Sequence, residues 1–259
     1  MNQINPDNKS VCNEKSSAWW SEWFNHVYMD VYSHRDEDSA DAEIKSAMSV
    51  VTLNPDDKIL DLCCGNGRHC RALIRAGLNH VYGVDYSFPL LEYAMSQTLQ
   101  ARYSRADMRL LPLPDNVMDV VLSFFTSFGY FPTNIENLSV LHEISRVLCS
   151  SGCFMLDYLN PTYVRSNLVA QSVKEHGDYN IREYRSISSD GERVEKKIVI
   201  ENWGGKDHIY HESVRLYEYE EMKDMLFSAD LSVDGVSGSF DNQPLNHESP
   251  RMILFGKRK

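Results

Sequence analysis

An apolar run that closes on an acid and a pair of glycines, Lys58-Ile-Leu-Asp-Leu-Cys-Cys-Gly-Asn-Gly-Arg-His69, leaves this chain few folds to adopt. Ile59, Leu60 and Leu62 read as a short strand buried on both faces, as in a parallel sheet. Gly65 and Gly67 let the backbone turn sharply with its N–H groups toward a ligand. A helix rich in Arg, Ala and Leu starts near Arg68. A second run, Val81-Tyr-Gly-Val-Asp-Tyr-Ser87, ends in Asp85, eighteen residues past Gly67. That is close to the roughly 20-residue spacing at which a carboxylate ending the second strand reaches ribose hydroxyls. The two runs predict an α/β domain that holds a nucleoside-bearing cofactor.

What the turn lacks narrows the choice of cofactor. A dinucleotide fingerprint places a third small residue three positions after the second glycine, so that the helix packs close and receives the pyrophosphate. Cys70 stands there, and Cys63 stands where the motif would open on glycine. Asp61, four residues before Gly65, would repel a pyrophosphate but suits a cationic amino group. This combination resembles motif I of the class I S-adenosylmethionine-dependent methyltransferases, with Asp85 at the family's ribose-binding acid. Ala106-Asp-Met108 resembles the family's adenine-flanking element, Leu111–Ser123 its loop and fourth strand, and Leu141–Asp157 its next helix and fifth strand. The match covers residues 55 to 160, and Arg251–Gly256 resembles the closing antiparallel strand.

The resemblance implies a Rossmann-like seven-stranded methyltransferase sheet and S-adenosyl-L-methionine as cofactor. It implies cofactor contacts from Asp61, Cys63, Gly65, Asn66, Gly67, Asp85, Tyr86, Asp107 and Met108, with the Phe124 carbonyl accepting from the methionine ammonium. Tyr28–Asp36 resembles the N-terminal signature of a bacterial branch that acts on small molecules. Tyr32, His34 and Arg35 are the positions that would close over the cofactor carboxylate. The acceptor is expected beyond the carboxyl ends of the strands. Thr126, Ser127, Tyr130 and Phe131 follow the fourth strand, and Tyr158 and Asn160 end the fifth. Phe124, Phe125 and Phe128 also read as plain core. A general base is harder to name: the candidates are Tyr130, His208 and His211, with His247 no better. Strand alternation puts His211 on one face with Arg215, a candidate acceptor contact, and His208 on the other.

Residues 1 to 15 are polar and expected to be flexible. A cap over 16 to 53 follows, opening with a helix from Ser16 or Ser17 whose aromatic face runs from Trp19 to Val31, and then a second helix, Ser39 to Val51. The cofactor-binding core is expected over 54 to 177. Three segments rich in β-branched and aromatic residues, Tyr179–Ser188, Arg193–Trp203 and His208–Tyr217, are separated by hairpin turn signals and predict an inserted antiparallel β meander over 178 to 219. Residues 220 to 259 complete the core sheet, with the sixth strand over Leu231–Phe240.

The formal net charge of −11, from 37 acidic and 26 basic residues, opposes binding to a phosphate backbone. No basic leader precedes an apolar segment, and no run of 18 apolar residues occurs. A cytoplasmic enzyme with a small-molecule acceptor, and without nucleic-acid or membrane partners, is therefore expected. Its oligomeric state stays open, a homodimer being one option. No metal is expected from the six cysteines: Cys63 and Cys64 are adjacent and lack Cys-x-x-Cys spacing, so small buried thiols explain them and nearby Cys70. The leading expectation is methyl transfer to nitrogen or oxygen of a secondary-metabolite-like or amino-acid-like molecule. RNA or protein methylation, or a non-methylating sulfonium-dependent enzyme such as a cyclase, are the alternatives.

Overall fold

The computed structural model describes residues 18–32, 36–176 and 179–259. Ser16 and Ser17, His34 and Arg35 lie outside the described residues. The alternation of strand and helix runs β1 (Lys58–Leu62), α4 (Arg68–Arg75), β2 (His80–Asp85), α5 (Phe88–Gln97), β3 (Arg102–Arg105), β4 (Met118–Ser123), α6 (Asn134–Val147) and β5 (Leu148–Leu159). After an inserted region, α8 (Tyr219–Ser228), β10 (Leu231–Ser237) and β11 (Arg251–Arg258) complete the sheet. Its strand order is β10-β11-β5-β4-β1-β2-β3. The strands β1 to β5 pair in parallel, while β11 is antiparallel to β5 and to β10. Chain order reverses between β1 and β4, and in open α/β sheets the crevice at such a reversal takes the ligand.

Both faces of the sheet are covered, which is why β1 shows no polar alternation. Ile59 packs into one core with Ala72 and Leu73 of α4, and Leu60 and Leu62 pack into the other with Val140 and Ile144 of α6. Seven strands, five of them parallel, and a separate antiparallel sheet match the expected architecture.

Ahead of this core stand α1 (Trp20–Trp23), α2 (His26–Val31) and α3 (Glu37–Val50). The single aromatic helix expected here is two short helices. Asn25 breaks it: its Oδ1 accepts from the Val27 N–H at 2.8 Å and caps α2. The second expected helix forms as α3, capped by Asp36, which accepts from the Ser39 N–H at 2.9 Å.

The meander has four strands rather than three. A short helix α7 (Pro161–Asn167) leads to β6 (Gln171–His176), followed by β7 (Tyr179–Ile187), β8 (Arg193–Trp203) and β9 (Lys206–Arg215) in that spatial order. The inserted sheet thus begins at Gln171, ahead of the expected boundary at 178. The sixth core strand ends at Ser237 instead of Phe240, because the Gly238 N–H turns to the Gln243 carbonyl at 2.7 Å. A third apolar cluster joins Trp23, Val27 and Val31 of the cap to Ile181, Ile198 and Ile200 of the inserted sheet. Among the described residues, no helix is long and apolar enough to cross a membrane.

Candidate functional site

A cavity of about 510 Å³ opens beyond the carboxyl ends of β1, β2 and β4, roofed by the cap. Its floor is the turn after β1. Gly65 (φ 55°) and Gly67 (φ 75°) both take the left-handed conformation that glycine adopts freely. A Cβ on Gly67 would lie 2.6 Å from the Tyr103 hydroxyl and 2.9 Å from Ala94, so the turn has no room for a side chain there. Cys63 takes the same conformation (φ 61°) at a strand end that lines the cavity, a strained setting for a residue with a Cβ.

Asp85 ties β2 to this turn. Its two oxygens accept from the Gly65 N–H at 2.8 Å and the Ser87 N–H at 2.7 Å, and its carboxylate lines the cavity. Burial pushes its pKa above the ordinary value, against those two backbone hydrogen bonds. Ser87 in turn caps α5 and donates to the Phe24 carbonyl at 2.5 Å, which fastens the cap to the turn.

Of the expected cofactor contacts, Tyr32, Cys63, Gly65, Asn66, Asp85, Tyr86, Asp107, Met108 and Phe124 all line this one cavity. Asp61 and Gly67 do not. Asp61 is 1 % exposed beneath the turn, accepts from the Cys70 thiol at 3.3 Å, and burial pushes its pKa up to about 7. It supports the turn instead of facing a ligand. Asp107 is held by Arg109 through both oxygens; burial raises its pKa, but the Arg109 hydrogen bonds outweigh that and leave it below the ordinary value. The Phe124 carbonyl already accepts from the Ser127 hydroxyl at 2.9 Å, so an ammonium there would share it.

A second cavity, about 560 Å³, lies between the cap, α7 and the inner face of the antiparallel sheet. Phe24, Tyr28, Tyr32, Phe125 and Tyr130 line both cavities and form the partition between them. Thr126 faces the second; Ser127 and Phe131 face the first. Phe125 and Thr126 are left-handed (φ 58° and 56°), held there by Asp157, which accepts from the Phe125 N–H at 2.7 Å through its carboxylate and from the Thr126 N–H at 3.0 Å through its carbonyl. Arg251 pairs with that buried carboxylate at 2.5 Å.

Several expected contacts fall elsewhere. Tyr158 is fully buried, its hydroxyl donating to the Arg215 carbonyl and accepting from the Tyr217 N–H, and it lines neither cavity. Asn160 caps α7 and holds the Asn246 and Ser249 carbonyls. Arg215 pairs with Glu192 and Glu221 outside both cavities. Among the base candidates, His208 packs on Trp203, and neither it nor His211 lines a cavity. His247 lies beside Glu248 on the surface. Tyr130 does line both cavities, and burial pushes its hydroxyl well above the ordinary range.

The motif reading also missed residues. His69 stacks on Phe124 at 3.9 Å, and its Nε2 meets Glu43 of α3 at 2.7 Å. Arg68 meets the same carboxylate at 2.8 Å and lies over the Phe125 ring at 4.4 Å. Trp20, Phe24 and Tyr28 roof the cofactor-sized cavity, and Glu183, Lys196 and Glu212 floor the second. Among the described residues, no group of three or more His, Cys, Asp or Glu could hold a metal ion.

Residues 59–152 match a family described as a methyltransferase domain. Over 206 residues the chain is 27% identical to a cypemycin N-terminal methyltransferase from a Streptomyces species, covering 78% of this chain and 83% of that protein. Other curated relatives match over a shorter stretch, and the chain spans about half their length. A solved S-adenosylmethionine-dependent methyltransferase from Clostridium acetobutylicum superposes with a TM-score of 0.74 at 19% identity, covering 90% of this chain and 96% of that one. The S-adenosylmethionine-bound CalS10, an amino pentose methyltransferase from Micromonospora echinaspora, gives a TM-score of 0.66 at 19% identity over 90% and 97%. The fold, the glycine turn with Asp85 beside it and the matched domain agree: this chain carries a methyltransferase domain over residues 59–152, set in the fold of the S-adenosylmethionine-dependent methyltransferases.

Proposed function

We propose that this enzyme methylates a nitrogen of a small, amine-bearing molecule seated in the second cavity, and that it works in the cytoplasm. The observation that carries this reading is the pair of cavities meeting across one aromatic partition. One accounts for the cofactor and leaves the other, of comparable size, for an acceptor. Bound S-adenosylmethionine would supply an electrophilic methyl group that passes to a lone pair as the carbon–sulfur bond breaks.

The chain's own residues bind and orient. Asp85 is assigned to the ribose hydroxyls, and Asp107 and Met108 flank the adenine. The Cys63–Asn66 turn would hold the sugar, and Tyr32 belongs to the partition. Phe24, Tyr28 and Tyr130 exclude water around the reacting atoms, and holding two reactants in line can supply about 7–11 kcal/mol of barrier reduction without a strong base. The names of the Streptomyces relative and of CalS10 refer to an N-terminus and to an amino pentose, which favours nitrogen over oxygen. The net charge of −11 favours a small acceptor over RNA.

The test is to incubate the protein with S-adenosylmethionine and a panel of small primary and secondary amines, following S-adenosylhomocysteine release and the methylated product by mass spectrometry. Methylated amines are the expected result. Methylation of RNA or folded protein alone would defeat the reading, as would cofactor turnover with no methylated product.

A further inference from the structure

The partition between the cavities is a chain of aromatic rings. Trp19 meets Tyr130 edge-on at 4.9 Å, Phe24 stacks on Tyr130 at 6.0 Å, Phe24 meets Tyr28 at 5.0 Å, and Tyr28 meets Tyr32 at 4.7 Å. Ring faces carry negative charge density, and a set of them around an opening favours a cation over a neutral group of the same shape.

One carboxylate stands beside this chain with an oxygen to spare. Glu212 projects from β9 into the second cavity on the same face as Val214. Its Oε1 accepts from Trp23 Nε1 at 2.7 Å and from the Tyr32 hydroxyl at 2.8 Å. Among the described residues its Oε2 has only Lys196 Nζ at 3.8 Å, which is too long for a hydrogen bond. Lys196 is committed elsewhere, to Glu183 at 2.6 Å and to the Tyr32 hydroxyl at 2.5 Å.

The neighbouring charges do not compete for a ligand. Glu183 is 1 % exposed and is matched by Lys196 and by Arg185 at 2.5 Å, and it also accepts from the Ser172 hydroxyl at 2.8 Å. Arg251 is paired with Asp157. Among the described residues, a carboxylate-bearing ligand would therefore find the inner cations occupied, with only Lys174 exposed at the rim. An ammonium would find the Glu212 Oε2 lone pairs and the ring faces together.

We propose that Glu212, with the aromatic partition above it, is the docking site for the acceptor's amine, which arrives as an alkylammonium ion: it donates to Oε2 while its carbon substituents lie against the rings, and it passes that proton to the carboxylate before its lone pair takes the methyl group. This rests on the reading of the acceptor as an amine and assigns the group that recognises it.

The test uses protein saturated with S-adenosylhomocysteine, titrated with 2-phenylethylammonium chloride and with 2-phenylethanol while cap tryptophan fluorescence is followed. The ammonium is expected to bind the wild type at least tenfold more tightly than the alcohol. Glu212→Gln is expected to erase that preference while binding of the alcohol and of S-adenosylhomocysteine stays within threefold. Equal affinities in the wild type, no binding of the ammonium, or a preference that survives in E212Q would overturn the assignment. Should E212Q lose S-adenosylhomocysteine binding, a crystal structure of the wild type with the ammonium decides. A nitrogen within hydrogen-bond reach of Glu212 upholds the proposal, and one seated elsewhere ends it. Methyl transfer to the amine panel is scored separately. Methylated amines together with an unaltered preference in E212Q would remove the docking role and leave the amine reading standing. No methylated amine at all would remove both.

Discussion

At the scale of single residues, the turn after β1 combines strain with a buried charge, and each makes a prediction. Cys63 occupies a left-handed conformation that costs a residue with a Cβ about 1–2 kcal/mol. Glycine ordinarily destabilises relative to alanine by about 0.5–1 kcal/mol, through the freedom it adds to the unfolded chain. At position 63 the order should invert, with Cys63→Gly more stable than Cys63→Ala by up to about 1 kcal/mol in urea unfolding. An alanine variant at least as stable as the glycine one would mean the backbone there is not strained. Asp61 beneath the turn has its folded pKa raised from 3.8 to about 7 by burial. Below about pH 4 both states carry the proton and the residue costs nothing. Between about 4 and 7 the folded form holds a proton that the unfolded chain has released, so stability falls as pH rises, by up to about 1.4 kcal/mol per unit. Above 7 the full cost persists. Asp61→Asn keeps an acceptor for the Cys70 thiol and removes the titration, so its stability should gain steadily on the wild type from pH 4 to pH 7; parallel profiles would show that Asp61 does not titrate in this window. The glycines and Asp85 were readable because their spacing is fixed by the path from strand to turn to strand. Glu43 and Glu212 were not, because each meets the site from an element whose inward face only packing decides.

Among the elements, strands β1, β2, β4 and β5 were legible as apolar runs because helices cover them on both sides. Strand β6 was not: Gln171–His176 holds a single aliphatic residue, Val173, and that side chain is itself exposed on the edge of the sheet. Alternation along β9 correctly placed His211 and Arg215 on a shared face, yet the cavity lies against the other one, which carries Glu212 and Val214. His208 shares that inner parity but sits near the hairpin beside Trp203, too far along the strand to line the cavity. The link between strands and site is the pair of Asp157 on β5 and Arg251 on β11, whose carboxylate also fixes the Phe125 N–H. Arg251→Met leaves that buried carboxylate without its partner, which costs about 3–5 kcal/mol. Burial already raises the Asp157 pKa, against the pull of Arg251, and losing the arginine raises it further. Protonation at low pH then removes the penalty, so the deficit of the variant in urea unfolding should be largest near neutral pH and shrink as pH falls. A deficit that ignores pH would mean it comes from lost packing of the arginine and not from the stranded charge.

Across the whole molecule, the cap is fastened to two bodies by different means. To the core it is joined by the Ser87 hydroxyl on the Phe24 carbonyl and by Trp20 packed on Phe131 at 5.0 Å. To the inserted sheet it is joined by a buried apolar cluster, in which Trp23, Ile198 and Ile200 are fully enclosed, and by the Trp23 and Tyr32 hydrogen bonds to Glu212. Within the cap, α3 belongs with the core, its Ala40, Ile44 and Ala47 packed with Ala72 and Leu73 of α4, whereas α1 and α2 bury Trp23, Val27 and Val31 against the sheet, so those two helices and the sheet should open and close together as one wall over both cavities. Ile198→Ala tests this, since deleting a fully buried isoleucine costs about 2–5 kcal/mol and leaves a hole in that cluster alone. Hydrogen exchange measured by mass spectrometry should then quicken in α1, α2, β7 and β8, while the amides of β1, β4 and β5 keep wild-type protection because their two core clusters are untouched. Faster exchange throughout β1 to β5 would mean the wall and the core unfold as one unit. Unchanged exchange in α1 and α2 would mean that Ser87 and Phe131, and not the inserted sheet, hold the cap in place.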